Sequence, residues 1–258
     1  MTRSPLITLT TDFGDSDGYV GAMKGVIAGL CPAARVWDIS HSVPPQDVIA
    51  GSYILSQAAP YFPDGAIHVG VIDPGVGSDR RSLIVTSGGR YYVGPDNGLF
   101  TFAFGPDATA YRIETPMEAS STFHGRDLYA PTAARLANGE TAADLGEAID
   151  DPVMLAIWEK EREGGEIIGR VIHIDRFGNA ITNLTPEDFE KPPLGFSIDR
   201  HGVPRQIPIK RTYAEVEIGN ALWLVGSYGR YELSVREGHA AGRFGVERGD
   251  RVHALLDQ

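Results

Sequence analysis

Along the first half of the chain, short β-rich runs alternate with segments whose apolar positions recur at helical spacing. Ile7–Thr11 reads as a strand running into Asp12-Phe13-Gly14, and Tyr19–Leu30 sets Val20, Met23, Val26, Ile27 and Leu30 along one helical face. Arg35–Ile39 predicts a second strand, Asp47–Ala59 a helix ended ahead of Pro60, and Ala66–Ile72 a strand that stops at Asp73-Pro74-Gly75. This strand-loop-helix rhythm predicts a mainly parallel sheet flanked by helices, an α/β architecture. Leu83–Thr86 and Tyr91–Gly94 flank Gly88-Gly89 as a hairpin, and Asp127–Leu136 predicts a helix with Pro131 near its start.

The pattern changes at Glu159–Glu166, a charged, Gly-containing stretch of the kind that links domains. Beyond it Ile167–Asp175, Gln206–Lys210, Leu222–Val225, Tyr231–Val235 and Arg251–Leu256 are short, β-rich and separated by Gly and Pro turns. Two domains are therefore expected, an α/β domain over residues 1–160 and a small all-β, barrel-like domain over 161–258.

Composition narrows the function. The 258 residues, 42% of them hydrophobic and 22% charged, are enough to bury a substantial core. With 34 acidic against 23 basic side chains the net charge is −11, and no basic run is present, which argues against a nucleic-acid partner whose phosphates would need neutralising. No stretch approaches the roughly 18 apolar residues of a membrane helix, and the first residues lack the apolar block of a signal peptide, so a cytoplasmic protein is expected. The single cysteine, Cys31, excludes an internal disulfide and a Cys-rich zinc site.

Several polar motifs fall at predicted strand ends. Asp12-Phe13-Gly14 matches a kinase tripeptide but has no Gly-rich phosphate loop before it, and the acids that follow fail a calcium loop at its first and twelfth positions, Phe13 and Lys24. What remains is an acid at the carboxyl end of a first strand, where open α/β sheets bind ligands and ribose hydroxyls are a common partner, or else an acid that caps a helix or closes a turn. Asp73 through Arg81 and Thr122 through Asp127 bring a carboxylate, a guanidinium and an imidazole onto loops at one sheet edge, a kit for activating water, although a tight turn and a structural histidine explain each motif alone. There is no HExxH and no paired-His spacing, so neither a metal nor another cofactor is expected. Asp175-Arg176-Phe177-Gly178-Asn179 reads equally as an Asx turn or as part of a site, and Tyr213 as a stacking platform or a core residue.

The series TTDFG (Thr10–Gly14), DISHSVPPQD (Asp38–Asp47), IDPGVGSDRR (Ile72–Arg81), VGPDNGL (Val93–Leu99), FHGRD (Phe123–Asp127), DRFGNAITN (Asp175–Asn183) and EIGN (Glu217–Asn220) resembles the S-adenosyl-L-methionine hydroxide adenosyltransferases, relatives of the 5′-fluorinase and 5′-chlorinase. The resemblance implies an N-terminal α/β domain, a C-terminal β-barrel-like domain and a homotrimer whose sites lie between one subunit's N-terminal domain and a neighbour's C-terminal domain. It implies in-line attack of water or hydroxide on the 5′-carbon of S-adenosyl-L-methionine, with Asp73, Arg80 and His124 as the catalytic set. By the same resemblance Asp12 meets the ribose diol, Asn179 and Arg236 the adenine side, Tyr213 packs on the adenine, and Asp175 and Ser227 lie near the methionine amine. Asp73, His124 and Gly125 stand where the halogenases carry Tyr, Tyr and Ser, and no loop is inserted after Ser82, all of which favours hydrolysis. Gln46 and Tyr228 replace a Trp and an Arg of the fluorinase. The alternatives are a chlorinase-like activity and a protein that binds the same ligand without turnover.

Overall fold

The computed structural model describes residues 4–163, 166–200, 203–204 and 206–256; Gly164 and Gly165 of the expected linker lie outside them. The chain divides into two compact units, Met1–Leu155 and Ala156–Gln258.

In the first unit the elements run β1 (Leu6–Thr11), α1 (Tyr19–Leu30), β2 (Arg35–Ser40), α2 (Val48–Ala58), β3 (Ile67–Val71), β4 (Ser82–Ser87), β5 (Arg90–Pro95), β6 (Thr109–Ile113), α3 (Ala130–Ala137), α4 (Ala142–Leu145) and β7 (Glu147–Ile149). They build one seven-stranded sheet in the order β2-β1-β3-β5-β4-β6-β7. The expected parallel sheet is the half made by β2, β1, β3 and β5; the β4–β5 hairpin then reverses direction, and β6 and β7 extend the sheet antiparallel.

Side chains alternate across this sheet. Ile84 of β4 joins a core with Ile7, Leu9, Met23, Ile27 and Tyr129, while its neighbours Leu83 and Val85 point to a second core with Leu55, Ile72, Leu99 and Phe100. β3 is buried throughout, as a central strand covered on both faces must be. Its carboxyl end, with that of β1, presents Asp73 and Asp12.

The helix expected over Asp127–Leu136 opens differently. Gly125–Tyr129 forms a π-turn, closed by the Ala130 N–H on the Gly125 carbonyl, and only then does α3 begin. Pro131 supplies a physical reason, because its ring would clash with the carbonyl four residues back and it has no N–H to give that carbonyl. A wider turn relieves both.

The second unit contains β8 (Glu161–Glu163), β9 (Glu166–Ile174), β10 (Ala180–Thr182), β11 (Gly195–Ile198), β12 (Ala221–Val225), β13 (Tyr231–Val235), α5 (Ala240–Phe244) and β14 (Arg251–Leu255). The strands form an antiparallel sheet, β11-β14-β9-β10-β13-β12, with β8 paired to β9. The sheet curls into a nearly closed barrel, since Phe196 of one end strand meets Trp223 of the other at 4.8 Å between ring centroids and Tyr231 at 4.7 Å. Such ring pairs contribute about 0.5–1.5 kcal/mol beyond the area they bury. Gln206–Lys210, expected as a strand, makes only an isolated bridge from Ile209 to Trp223. Pro208 accepts from the Trp223 N–H but has no N–H of its own to donate to β12, so the pairing stops at this bridge.

Candidate active site

A cavity of about 260 Å³ opens at the carboxyl ends of β1 and β3, lined by Asp12, Phe13, Gln46, Asp73, His124 and Gly125 among others. Asp12 is fixed by the Gln46 N–H, which donates to its Oδ2 at 2.7 Å. Gln46 reaches that position with φ of 65°, a left-handed conformation that costs a side-chain-bearing residue energy and is found where a site demands it.

The Asp73 loop turns tightly. Ser78 donates from both its backbone N–H and its hydroxyl to the Gly75 carbonyl, and Gly77, at φ of 77°, lies against Ser121, whose carbonyl oxygen would be 2.3 Å from any Cβ placed there. Only glycine satisfies both conditions, and the contact joins this loop to the segment leading into His124.

Asp73, Arg80 and His124 meet. The Arg80 guanidinium spends all five of its N–H groups: Nε donates to Asp73 Oδ1 at 2.8 Å, Nη2 to Asp73 Oδ2 and to His124 Nδ1 (2.8 Å), and Nη1 to the Arg81 carbonyl (3.2 Å) and Ser82 Oγ (2.6 Å). A guanidinium only donates, so His124 Nδ1 accepts, and a neutral imidazole then carries its proton on Nε2. His124 is 6% exposed. Its pKa is lowered from the ordinary value, by burial first and by the neighbouring Arg80 charge second, against the smaller opposing pull of Asp73 and Asp127. The histidine is therefore neutral at pH 7, with one fixed tautomer and an Nε2–H donor on a side chain that lines the cavity.

In the second unit, Asn179 and Tyr213 line a separate hollow of about 540 Å³ with Phe177, Glu237, Gly238 and His239. Asp175 organises this loop as an Asx turn: Oδ1 accepts from the Phe177 and Asn179 N–H groups and Oδ2 from Asn179 Nδ2, all at 2.9 Å. Arg236 donates to the Val216 carbonyl at 2.8 Å and so supports the turn that carries Tyr213. Ser227 lies exposed in the Gly226–Gly229 turn and is not among the lining residues of this hollow. Sequence reasoning missed Glu232, a buried carboxylate on β13 that accepts from the Tyr213 hydroxyl at 2.6 Å and from Ser234 at 3.2 Å. Burial pushes its pKa up. The available signal was an acid between the apolar residues Tyr231 and Leu233 of one short strand, Tyr231–Val235.

Among the described residues no cluster of three or more His, Cys, Asp or Glu side chains is arranged to hold a metal ion. No helix among them is long and apolar enough to cross a membrane.

Residues 7–146 match the SAM hydroxide adenosyltransferase N-terminal domain and residues 169–253 the C-terminal domain of the same family. The chain belongs to the SAM hydroxide adenosyltransferases. Relatives of this family include the (R)-S-adenosyl-L-methionine hydrolase of Thermus thermophilus, 39% identical with 95% of this chain and 97% of the relative covered, and that of Methanocaldococcus jannaschii, 40% identical with 97% and 95% covered. A fluorinase of Nocardia brasiliensis is more distant at 27%, with 98% of both chains covered. Among solved structures, a conserved hypothetical protein of Thermus thermophilus superposes with a TM-score of 0.80 at 37% identity, covering 97% of this chain and 100% of the other. An uncharacterized conserved protein of Thermotoga maritima gives 0.83 at 30%, covering 97% and 99%.

Proposed function

We propose that this adenosyltransferase hydrolyses (R)-S-adenosyl-L-methionine to adenosine and L-methionine, with water or hydroxide attacking the 5′-carbon. The observation that carries this reading is the Arg80 guanidinium bonded at once to Asp73 and to Nδ1 of a neutral His124. The sulfonium needs no acid to leave, because it departs as a neutral thioether. The difficulty lies in the nucleophile, which is weak as water and scarce as hydroxide at neutral pH.

His124 holds the attacking oxygen by donating its Nε2–H. Asp73 lines the same cavity, and each of its carboxylate oxygens retains a lone pair beyond its bond to Arg80, so it accepts the proton that the water loses. Oxygen bonds to the 5′-carbon as the carbon–sulfur bond breaks and its electron pair passes to sulfur; Asp73 then returns the proton to solvent. Arg80 balances the negative charge and stays protonated throughout. Hydroxide meeting a sulfonium neutralises charge, which a dry site favours.

The ribose diol is assigned to Asp12, the adenine to Tyr213, Asn179 and Arg236, and the methionine amine to Asp175 and Ser227. In this reading the C-terminal half-site serves a neighbouring copy within a homotrimer, and the protein is cytoplasmic. Light scattering on purified protein tests the trimer.

For the reaction itself, each sulfonium epimer is incubated separately with the protein in ¹⁸O-labelled water, with and without chloride, and products are read by mass spectrometry. Labelled adenosine with methionine, formed faster from the R epimer, is the expected result. A 5′-chloro product, or intact substrate held on the protein, overturns the hydrolase.

A further inference from the structure

The catalytic set stands on a second, buried layer. Arg80 Nη1 donates to Ser82 Oγ at 2.6 Å, and Ser82 Oγ shares a hydrogen bond with Tyr129 Oη at 3.1 Å. The Tyr129 ring lies under the guanidinium, 5.8 Å from ring centroid to Arg80 Cζ. Ser82 is 2% exposed and Tyr129 fully buried, so neither meets substrate or solvent. Burial keeps the Tyr129 phenol neutral by raising its pKa.

The π-turn is what brings these groups together. His124 precedes it and Tyr129 ends it, five residues apart. In an α-helix, at about 100° per residue, residues five apart diverge by roughly 140° around the axis. Widening the turn to a bond between residues five apart returns them to the same side. Here the two rings stand edge to face with centroids 6.4 Å apart, and both address one guanidinium. π-turns cost stability and collect at functional sites, which gives this one a purpose beyond its accommodation of Pro131.

On the other side, Arg81 turns its guanidinium away, with Nε on Asp96 Oδ2 at 2.8 Å and Nη1 on Asp151 at 2.6 Å, so the backbone between the two arginines is anchored. The remaining freedom of the Arg80 head is rotation about its own side-chain bonds. Asp73 clamps one edge of the fork through Nε and Nη2, and Ser82, the one side-chain acceptor for Nη1, braces its other end.

We infer that Ser82 and Tyr129 are positioning residues for the hydrolysis reaction, holding Arg80 at the angle from which its Nη2 fixes the donor tautomer of His124. The inference rests on the hydrolase reading above and extends it to two residues that touch neither substrate nor the attacking oxygen. A misplacement near 1 Å at a reacting centre can cost about a hundredfold in rate. Ser82→Ala is therefore expected to lower kcat about tenfold to a hundredfold with KM within twofold, and Tyr129→Phe, which keeps the ring and removes the hydroxyl, to lower it less. Ser82→Thr, which restores a hydroxyl, is expected to recover part of the loss.

The decisive readout is the ¹⁵N spectrum of the His124 ring in the folded enzyme. Wild type shows a bare Nδ1 and a protonated Nε2, and Ser82→Ala shows exchange between tautomers. Wild-type kcat in both Ser82→Ala and Tyr129→Phe, or a His124 spectrum unchanged in a slowed Ser82→Ala enzyme, overturns the positioning role. His124→Ala and Arg80→Ala serve as references: if these retain full activity the catalytic set itself is wrong, whereas if they are inactive while Ser82→Ala is not, only the second layer fails.

Discussion

Replacing Arg80 by lysine separates charge from geometry. The guanidinium satisfies Asp73 with two N–H groups and reaches His124, Ser82 and the Arg81 carbonyl with the other three. A lysine keeps the positive charge but offers three donors from one nitrogen, which cannot span acceptors on opposite sides of a planar fork. The ammonium is expected to stay on Asp73, its strongest partner, and to leave His124 Nδ1 without a charged donor. A hydrogen bond to a charged group contributes about 1.5–3 kcal/mol. At 1.36 kcal/mol per tenfold in rate, loss of that one bond in the transition state predicts a kcat lower by about one to two orders of magnitude in Arg80→Lys. The assay is adenosine release from the pure R epimer under saturating and limiting substrate, so that kcat and KM separate. KM should move little, because Arg80 has no N–H left over for substrate. A kcat within threefold of wild type, with the His124 tautomer intact by ¹⁵N NMR, would refute the argument that five-fold donation rather than charge is what Arg80 supplies.

Three further outcomes follow from the same geometry. Because burial and Arg80 lower the His124 pKa, kcat/KM should fall with acidification only below pH 6.5, and an acid-limb midpoint at or above that value counts against a neutral donor histidine. His68, fully buried in β3 with Nδ1 bonded to Thr8 at 2.8 Å, has its pKa pushed down to about 4 by burial, so the unfolded chain takes a proton that the folded one resists; this group should lower stability by roughly 3 kcal/mol from pH 6.5 towards 4, and urea melts of His68→Gln at both ends of that window should show a decline smaller than wild type by that amount. Gly178 has φ of 82°, and a Cβ there would lie 2.2 Å from the His239 ring, so Gly178→Ala should lower the melting temperature and raise KM with little change in kcat; an unaltered KM would detach this loop from adenine binding.

The parallel half of the N-terminal sheet was legible because buried strands and amphipathic helices leave different periods in the chain, and Ile7–Thr11, Tyr19–Leu30 and Ala66–Ile72 carry them without ambiguity. The antiparallel extension was not, since only the Gly88-Gly89 turn announces a reversal and nothing local says that β6 and β7 pair on the far side of β4. Gln206–Lys210 looked like a strand on side-chain composition, and one missing N–H at Pro208 decided otherwise. Pro131 was readable as a mark near a helix start, while its effect on the preceding turn depends on where the Asp127 carbonyl lies in three dimensions. That difference matters most at the site. Motif resemblance selects Asp73, Arg80 and His124, but spacing alone does not say that they meet, and no sequence states which imidazole nitrogen holds a proton. Counting the guanidinium's five donors against their acceptors puts the proton of a neutral His124 on Nε2: with Nδ1 accepting from Arg80, the ring has a hydrogen left to offer, and for that reason the proposed reaction uses it as a donor and not as the base. Ser82 enters by the same count, as an ordinary strand serine on which the fifth donor ends, and Tyr129 follows as the core tyrosine whose hydroxyl bonds that serine.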